Sequence, residues 1–202
     1  MADTNGLPYF NIFWTDPAEA AHDWPDFGDV MARQFQAAIM ARNMTGERAP
    51  IEAVWRRKLT ELIDPEAGLL TRPQTGFSQK VADPGDQALT LYALVTAYED
   101  ALEESLKQVV LKMTASLLAQ TEKGKGGSDG FLSGFIIKSL MASARVLHAG
   151  NALKLAGEQV HRVFVENPLF SPDNTFHHGG HLHGNLRTLV QAKEAQPKST
   201  KA

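Results

Sequence analysis

Apolar residues recur at helical spacing along most of this chain, and that period limits what it can fold into. Val54, Trp55, Leu59, Leu62 and Ile63 form one stripe. Leu91, Val95, Tyr98 and Leu102 form a second, and Leu106, Val109, Val110, Met113 and Leu117 a third. A fourth begins near Leu153 and continues through Val160, Val163 and Phe164. Each fits the i, i+3, i+4, i+7 rhythm of a helix and not the alternation of a strand. The segment from Phe131 to Leu147 is apolar nearly all round, which predicts a helix enclosed by others. The fold class is therefore all-α, built from antiparallel helical hairpins.

The punctuation between the stripes agrees. Asp64-Pro-Glu-Ala-Gly68 ends one helix with a Pro and Gly turn. Asp83-Pro84 starts the next: Asp caps, Pro suits the first helical position, and Asp86 meets the helix dipole favourably. Lys123 to Gly130 reads as a Gly-rich loop, with Ser128 or Asp129 capping the helix that follows. The expected hairpins pair helices at about 27–44 with 50–63, 85–102 with 105–121, and 131–148 with 151–166. A further helix is expected over about 180–195. No Gly or Pro forces a break at Glu103-Glu104-Ser105, so two helices or one long one remain open there. Residues 1–26 read as an extended arm with Trp14 and Trp24 pinned on the helices. Residues 27–195 read as one helical domain, and 196–202 as a disordered polar tail.

Composition excludes several functions. Lys and Arg number 20 against 23 Asp and Glu, a formal charge of −3, which argues against nucleic-acid binding. No stretch approaches the roughly 20 apolar residues that cross a bilayer, so no membrane is expected. There is no Cys, which removes disulfides, thiolate nucleophiles and Cys-based metal sites. The start of the chain lacks the basic and apolar run of a secretory signal, so a cytoplasmic location is expected.

Three Gly-bearing polar loops enter helices: Ala82 to Gln87, Gly127 to Gly130, and Phe176 to Asn185. Stacked hairpins would bring these helix starts to one end, where Gly admits a ligand and N–H groups donate. The bland reading makes all three ordinary caps and turns. The sharpest local feature is the cluster His177, His178, His181 and His183. His177 and His181 have the i, i+4 spacing of helical metal ligands, but Gly179-Gly180 interrupts a helix there, and no Asp or Glu lies between Asp173 and Glu194. Hydrogen bonding to a hydroxyl-rich ligand, capping and packing, and metal binding all stay open for these His. Arg187 points into the same cleft or pairs with a carboxylate. Lys138 in its apolar helix reads as a snorkelling side chain or a catalytic one. Phe77 and Trp14 read as sugar-stacking or core aromatics.

Several runs together resemble a known family. They are Leu62-Ile-Asp-Pro-Glu-Ala-Gly-Leu69, Arg72-Pro73, Asp83-Pro-Gly-Asp-Gln-Ala-Leu89, Tyr92-Ala-Leu, Gly130-Phe-Leu-Ser-Gly-Phe-Ile-Ile-Lys138 and Gly179-Gly-His-Leu-His-Gly-Asn-Leu-Arg187. In this order they resemble the N-terminal half of six-hairpin glycosidases, in particular the β-L-arabinofuranosidase-like glycoside hydrolases. The resemblance implies part of an (α/α)6 toroid whose inner-helix starts line a sugar funnel. It also implies sugar contacts at Asp83, Asp86, Gln87, His181, His183 and Asn185. Asp129, His178 and Arg187 join these as candidates from the loops themselves. The family's Cys nucleophile and its zinc site have no counterpart in a chain without Cys, so no cofactor or metal is expected.

Six hairpins need roughly 300 residues or more, whereas 27–195 holds about three and a half. The expectation is a glycosidase-like, carbohydrate-binding partial toroid. Its exposed flanks would call for a homo-oligomer or a missing C-terminal half. The alternatives are a non-catalytic helical interaction module or truncated remnant, and a His-cluster metal protein.

Overall fold

A computed structural model describes residues 11–13, 20–22, 27–71, 81–121 and 130–162. Six helices dominate: α1 (Phe27–Thr45), α2 (Pro50–Glu61), α3 (Pro84–Ala101), α4 (Glu104–Gln120), α5 (Gly130–Leu147) and α6 (Gly150–His161). The boundaries fall close to those predicted as far as the described residues go; the expected end of the last of these helices, 163–166, lies outside them. Val163, Phe164, the helix expected over 180–195 and the tail at 196–202 lie outside the described residues, as do Trp14, Trp24 and Phe77. The described part of the N-terminal arm is a short antiparallel pair, β1 (Asn11–Phe13) and β2 (Ala20–His22), with Ile12 opposite Ala21. The fold class is all-α, with this pair its only named strands among the described residues.

The three hairpins turn in the same way. Each odd-numbered helix is followed by a residue with positive φ: Gly46 at 78°, Leu102 at 52° and His148 at 54°. A left-handed residue at the end of a helix stops it and redirects the chain. After Leu102 and His148, a single residue (Glu103 and Ala149) leads directly into the next helix. The open question at Glu103 is thus answered by a break. The Leu102 N–H bonds the Tyr98 carbonyl at 2.8 Å, and α4 starts two residues later.

Side-chain bonds show that α1, α3 and α5 run parallel in one layer. Asp29 meets Asp86 near the helix starts, Gln36 meets Thr96 midway, and Arg42 meets Asp100 near the ends. Tyr92 meets Lys138 and Glu99 meets Arg145 in the same order along α3 and α5. The even-numbered helices run the other way on the opposite side. Arg56 of α2 pairs with Glu103 at the start of α4, and Thr114 of α4 bonds Ser143 of α5 at 3.1 Å.

The central helix of the layer is α3, and it is α3 rather than α5 that is enclosed. Between Gly85 and Ala97 only Tyr92 and Thr96 are more than slightly exposed. Fully buried Met31, Phe35 and Ile39 of α1 join Leu91 and Leu94 of α3, Met113 and Leu117 of α4, and Ile136, Ile137 and Leu140 of α5 in one core. Near-complete removal of such side chains from water supplies most of the driving force. On α6 the buried face is Ala152, Leu155, Ala156 and Gln159, while Leu153 is 39% exposed. Of the stripe read from Leu153, Leu153 itself lies off the core-facing side and Val160 packs against the core. No helix among the described residues is long and apolar enough to cross a membrane.

Candidate functional site

The start of α3 is built as predicted, and its polar groups bond within the chain. Asp83 caps the helix, its Oδ1 accepting the Asp86 N–H at 3.0 Å, with Pro84 in the first turn. Asp86 is 3% exposed, and its Oδ1 accepts the Asp29 N–H at 2.9 Å, so it caps α1 from the neighbouring helix. Gly28 makes this possible: a Cβ there would stand 2.8 Å from both Asp86 Cγ and Leu70 Cδ2. Gln87 is fully buried. Its Oε1 accepts the Leu70 N–H at 2.7 Å, and its Nε2 donates to the Leu70 and Ala82 carbonyls at 2.8 and 3.2 Å. A single amide thus holds the returning segment that links α2 to α3. Asp129, His177, His178, His181, His183, Asn185 and Arg187 lie outside the described residues.

A second set of side chains is presented by the exposed rows of α1, α3 and α5. On α3 these are Tyr92, Thr96 and Glu99, spaced to lie on one face. The Lys138 ammonium of α5 sits 4.2 Å from the centroid of the Tyr92 ring, and the Arg33 guanidinium of α1 sits 5.0 Å from that of Phe135 on α5. Both distances are within the range of cation–π attraction. The Arg33–Phe135 contact joins α1 to α5 across α3. Gln36 Nε2 donates to Thr96 Oγ1 at 2.8 Å, and Arg145 pairs with Glu99 at 2.7 Å.

This face runs into a cleft of about 680 Å³ beside the α5–α6 turn. Lys138, Met141, Ala142, Arg145 and His148 line it from one side of α5, Tyr92 from α3, and Gly150 and Leu153 from α6. The volume suits a small ligand. The lining combines an aromatic ring, apolar patches, two cations and a histidine. Asp and Glu are missing from it among the described residues. The cleft lies toward the hairpin-turn end of the layer, whereas Asp83, Asp86 and Gln87 lie at the helix-start end. Lys138 is the residue of this cleft that stood out in the sequence, as a cation in an apolar helix. Tyr92, Arg145 and His148 carry no comparable local signal, because only the packing of α3 against α5 brings them together.

The acids around the layer are engaged. Asp29 pairs with Arg33, and Asp100 with Arg42 at 2.6 Å. Arg42 also bonds the buried Glu52 at 3.0 Å, so one guanidinium ties the turn ends of α1, α2 and α3. The hydrogen bond from Arg42 holds the Asp100 carboxyl below the usual carboxylate range. Arg56 does the same for Glu103. Asp29 and Glu99 stand at opposite ends of the layer. Asp86 is level with Asp29, and Glu99 lies thirteen residues further along α3, a rise of about 20 Å. Among the described residues no three His, Asp or Glu are grouped to hold a metal ion.

No family model, curated protein or solved structure matches this chain.

Proposed function

We propose that this chain binds carbohydrate on the exposed face of its α1–α3–α5 layer, as a glycosidase-like arc of an (α/α) toroid that does not itself hydrolyse its ligand. The observation that carries this reading is the parallel layer of odd-numbered helices, backed by antiparallel ones, with an aromatic and polar face opening into a cleft. Tyr92 offers a ring and a phenol, Thr96 and Gln36 offer hydrogen-bonding groups, and Lys138 and Arg145 offer charged donors. Such a mixture suits a ligand with apolar ring faces and many hydroxyls.

The acids support the non-catalytic part. Hydrolysis by the common route needs two carboxyl groups about 5–9.5 Å apart across the bond. Asp29 and Glu99 are about 20 Å apart along the layer and both are paired with arginines. Asp83 and Asp86 serve as caps.

Calorimetric titration of the full chain with a panel of neutral and acidic oligosaccharides tests the reading. Binding with Kd below about 1 mM to at least one of them is expected, weakened by Tyr92→Ala, with no reducing ends released over a day. Absence of binding across the panel overturns the sugar reading, and release of reducing ends overturns the non-catalytic part.

A second reading rests on a separate observation. Met40 and Met44 of α1, one turn apart, are 55% and 86% exposed, and Ile51 at the start of α2 is 39% exposed. An apolar edge of this kind favours an interaction module. Light scattering distinguishes it: self-association abolished by Met44→Glu supports it, and a monomer at high concentration counts against it.

A further inference from the structure

We propose that the cleft beside the α5–α6 turn is a site for a small, uncharged aromatic molecule of one or two fused rings. This goes beyond the carbohydrate reading and does not depend on it. That reading uses the exposed face of the layer, and this one the cleft into which the face opens. The walls of the cleft are largely apolar: Met141 and Ala144 come from α5, Ala149 and Gly150 from the turn and the start of α6, and Leu153 from α6. Leu153 is 39% exposed, because the core-facing side of α6 is completed without it by Ala152, Leu155 and Ala156. A large apolar side chain left toward solvent on the wall of a concave space gains by burial against a ligand. Small residues keep that space open. A Cβ at Gly150 would meet nothing within 4 Å.

The charges around the cleft are engaged within the chain. Arg145 is held by Glu99 at 2.7 Å. Lys138 is engaged as well, its ammonium 4.2 Å from the centroid of the Tyr92 ring. An anionic ligand would have to compete with these contacts, and a cationic one would meet like charge. An uncharged ring displaces only water from Met141 and Leu153. Two side chains favour an aromatic ring over a saturated one. Tyr92 can pair with it edge-to-face or offset, and the Met141 thioether makes favourable contacts with ring edges. His148 adds a group that can donate to or accept from one hydroxyl on that ring.

The test titrates the full chain at neutral pH with 2-naphthol, with its anionic counterpart 2-naphthoate and with the saturated decahydro-2-naphthol. Binding is followed by calorimetry and by the signals of isotope-labelled methionine methyl groups. 2-Naphthol is expected to bind most tightly of the three, with Kd below about 1 mM. It should shift the Met141 methyl and leave that of Met44, 86% exposed on α1, in place. Leu153→Ser is expected to weaken binding about fivefold. Gly150→Phe, which sets a ring in the open space, is expected to weaken it about tenfold or more. Leu111→Ser removes an equally exposed leucine, 38%, from α4 outside this cleft, and should leave the affinity within about twofold. If circular dichroism shows that Gly150→Phe disturbs the helices, Leu153→Ser against Leu111→Ser decides. Equal losses in those two variants overturn the inference, since binding would then follow exposed apolar surface at large. 2-Naphthoate binding as tightly as 2-naphthol overturns the uncharged part, and the saturated alcohol doing so overturns the aromatic part. An unmoved Met141 methyl, or no binding of 2-naphthol, overturns the site itself and leaves the carbohydrate reading standing.

Discussion

Replacing Gln87 with Met separates a structural amide from a ligand-contacting one. Met keeps the volume and removes every polar atom. In the parent, Leu70 N–H has Gln87 Oε1 as its partner, and the Ala82 carbonyl has Gln87 Nε2. Leu70 and Ala82 are both buried. The Leu70 carbonyl keeps the Ala82 N–H at 3.0 Å in the variant, so two backbone groups are orphaned, not three. Each buried orphan costs about 1–3 kcal/mol, or roughly 2–6 kcal/mol for the pair. The variant no longer desolvates a primary amide, which returns part of that and leaves a net loss of about 3 kcal/mol. At about 2–4 °C per kcal/mol for a chain of this size, Tm should fall by about 6–12 °C. Thermal melts followed by circular dichroism measure it, and urea unfolding with an unchanged m-value confirms a stability effect. Gln87→Glu should be worse, since a carboxylate cannot donate to the two carbonyls and would bury a charge. A Gln87→Met protein that melts within about 2 °C of the parent but loses sugar affinity would refute the structural assignment. It would reinstate Gln87 as a ligand contact.

Gly28→Ala should destabilise by about 1–3 kcal/mol despite the better helix propensity of Ala, because its Cβ would collide with Asp86 and Leu70; a urea midpoint at or above that of the parent would contradict this. Leu102→Gly should stabilise by about 0.5–1 kcal/mol, since the 71% exposed Leu holds φ at 52° and Gly relieves that strain at little loss of packing, measured again as a urea midpoint. The pH dependence has a definite sign. Asp100 titrates lower in the folded chain than unfolded, so its stabilising contribution is present above its ordinary value near 4 and disappears as pH falls through the lower folded value. Asp100→Asn should flatten that part of the stability profile below about pH 4, and an unchanged profile would show that the Arg42 bond carries no weight.

The sequence alone determined the helices, because their signals are local. The 3.6-residue apolar period, Asp83-Pro84 at one start and the Pro and Gly turn after α2 act within a few residues of themselves. In that turn Asp64 Oδ1 accepts the Glu66 and Ala67 N–H groups at 2.8 and 2.9 Å, and Gly68 takes the positive φ. Where the signal was a long-range one, the sequence was silent. Leu102 and His148 break helices without being Gly, because burial of the flanking helices holds them in a conformation their side chains disfavour. Asp86 sits in the first turn of its own helix as its sequence position implied, and it also caps α1, fifty-seven residues away in the chain. Gln87, a sugar contact by the family resemblance, is buried and clamps the segment around Leu70. The cleft follows the same rule. Lys138 and Arg145 share a face by helical spacing alone, but only the packing of α3 against α5 sets Tyr92 under one cation and Glu99 against the other. Periodicity is written in neighbouring residues. The choice of which helix face meets which partner is made by the summed burial of the whole core.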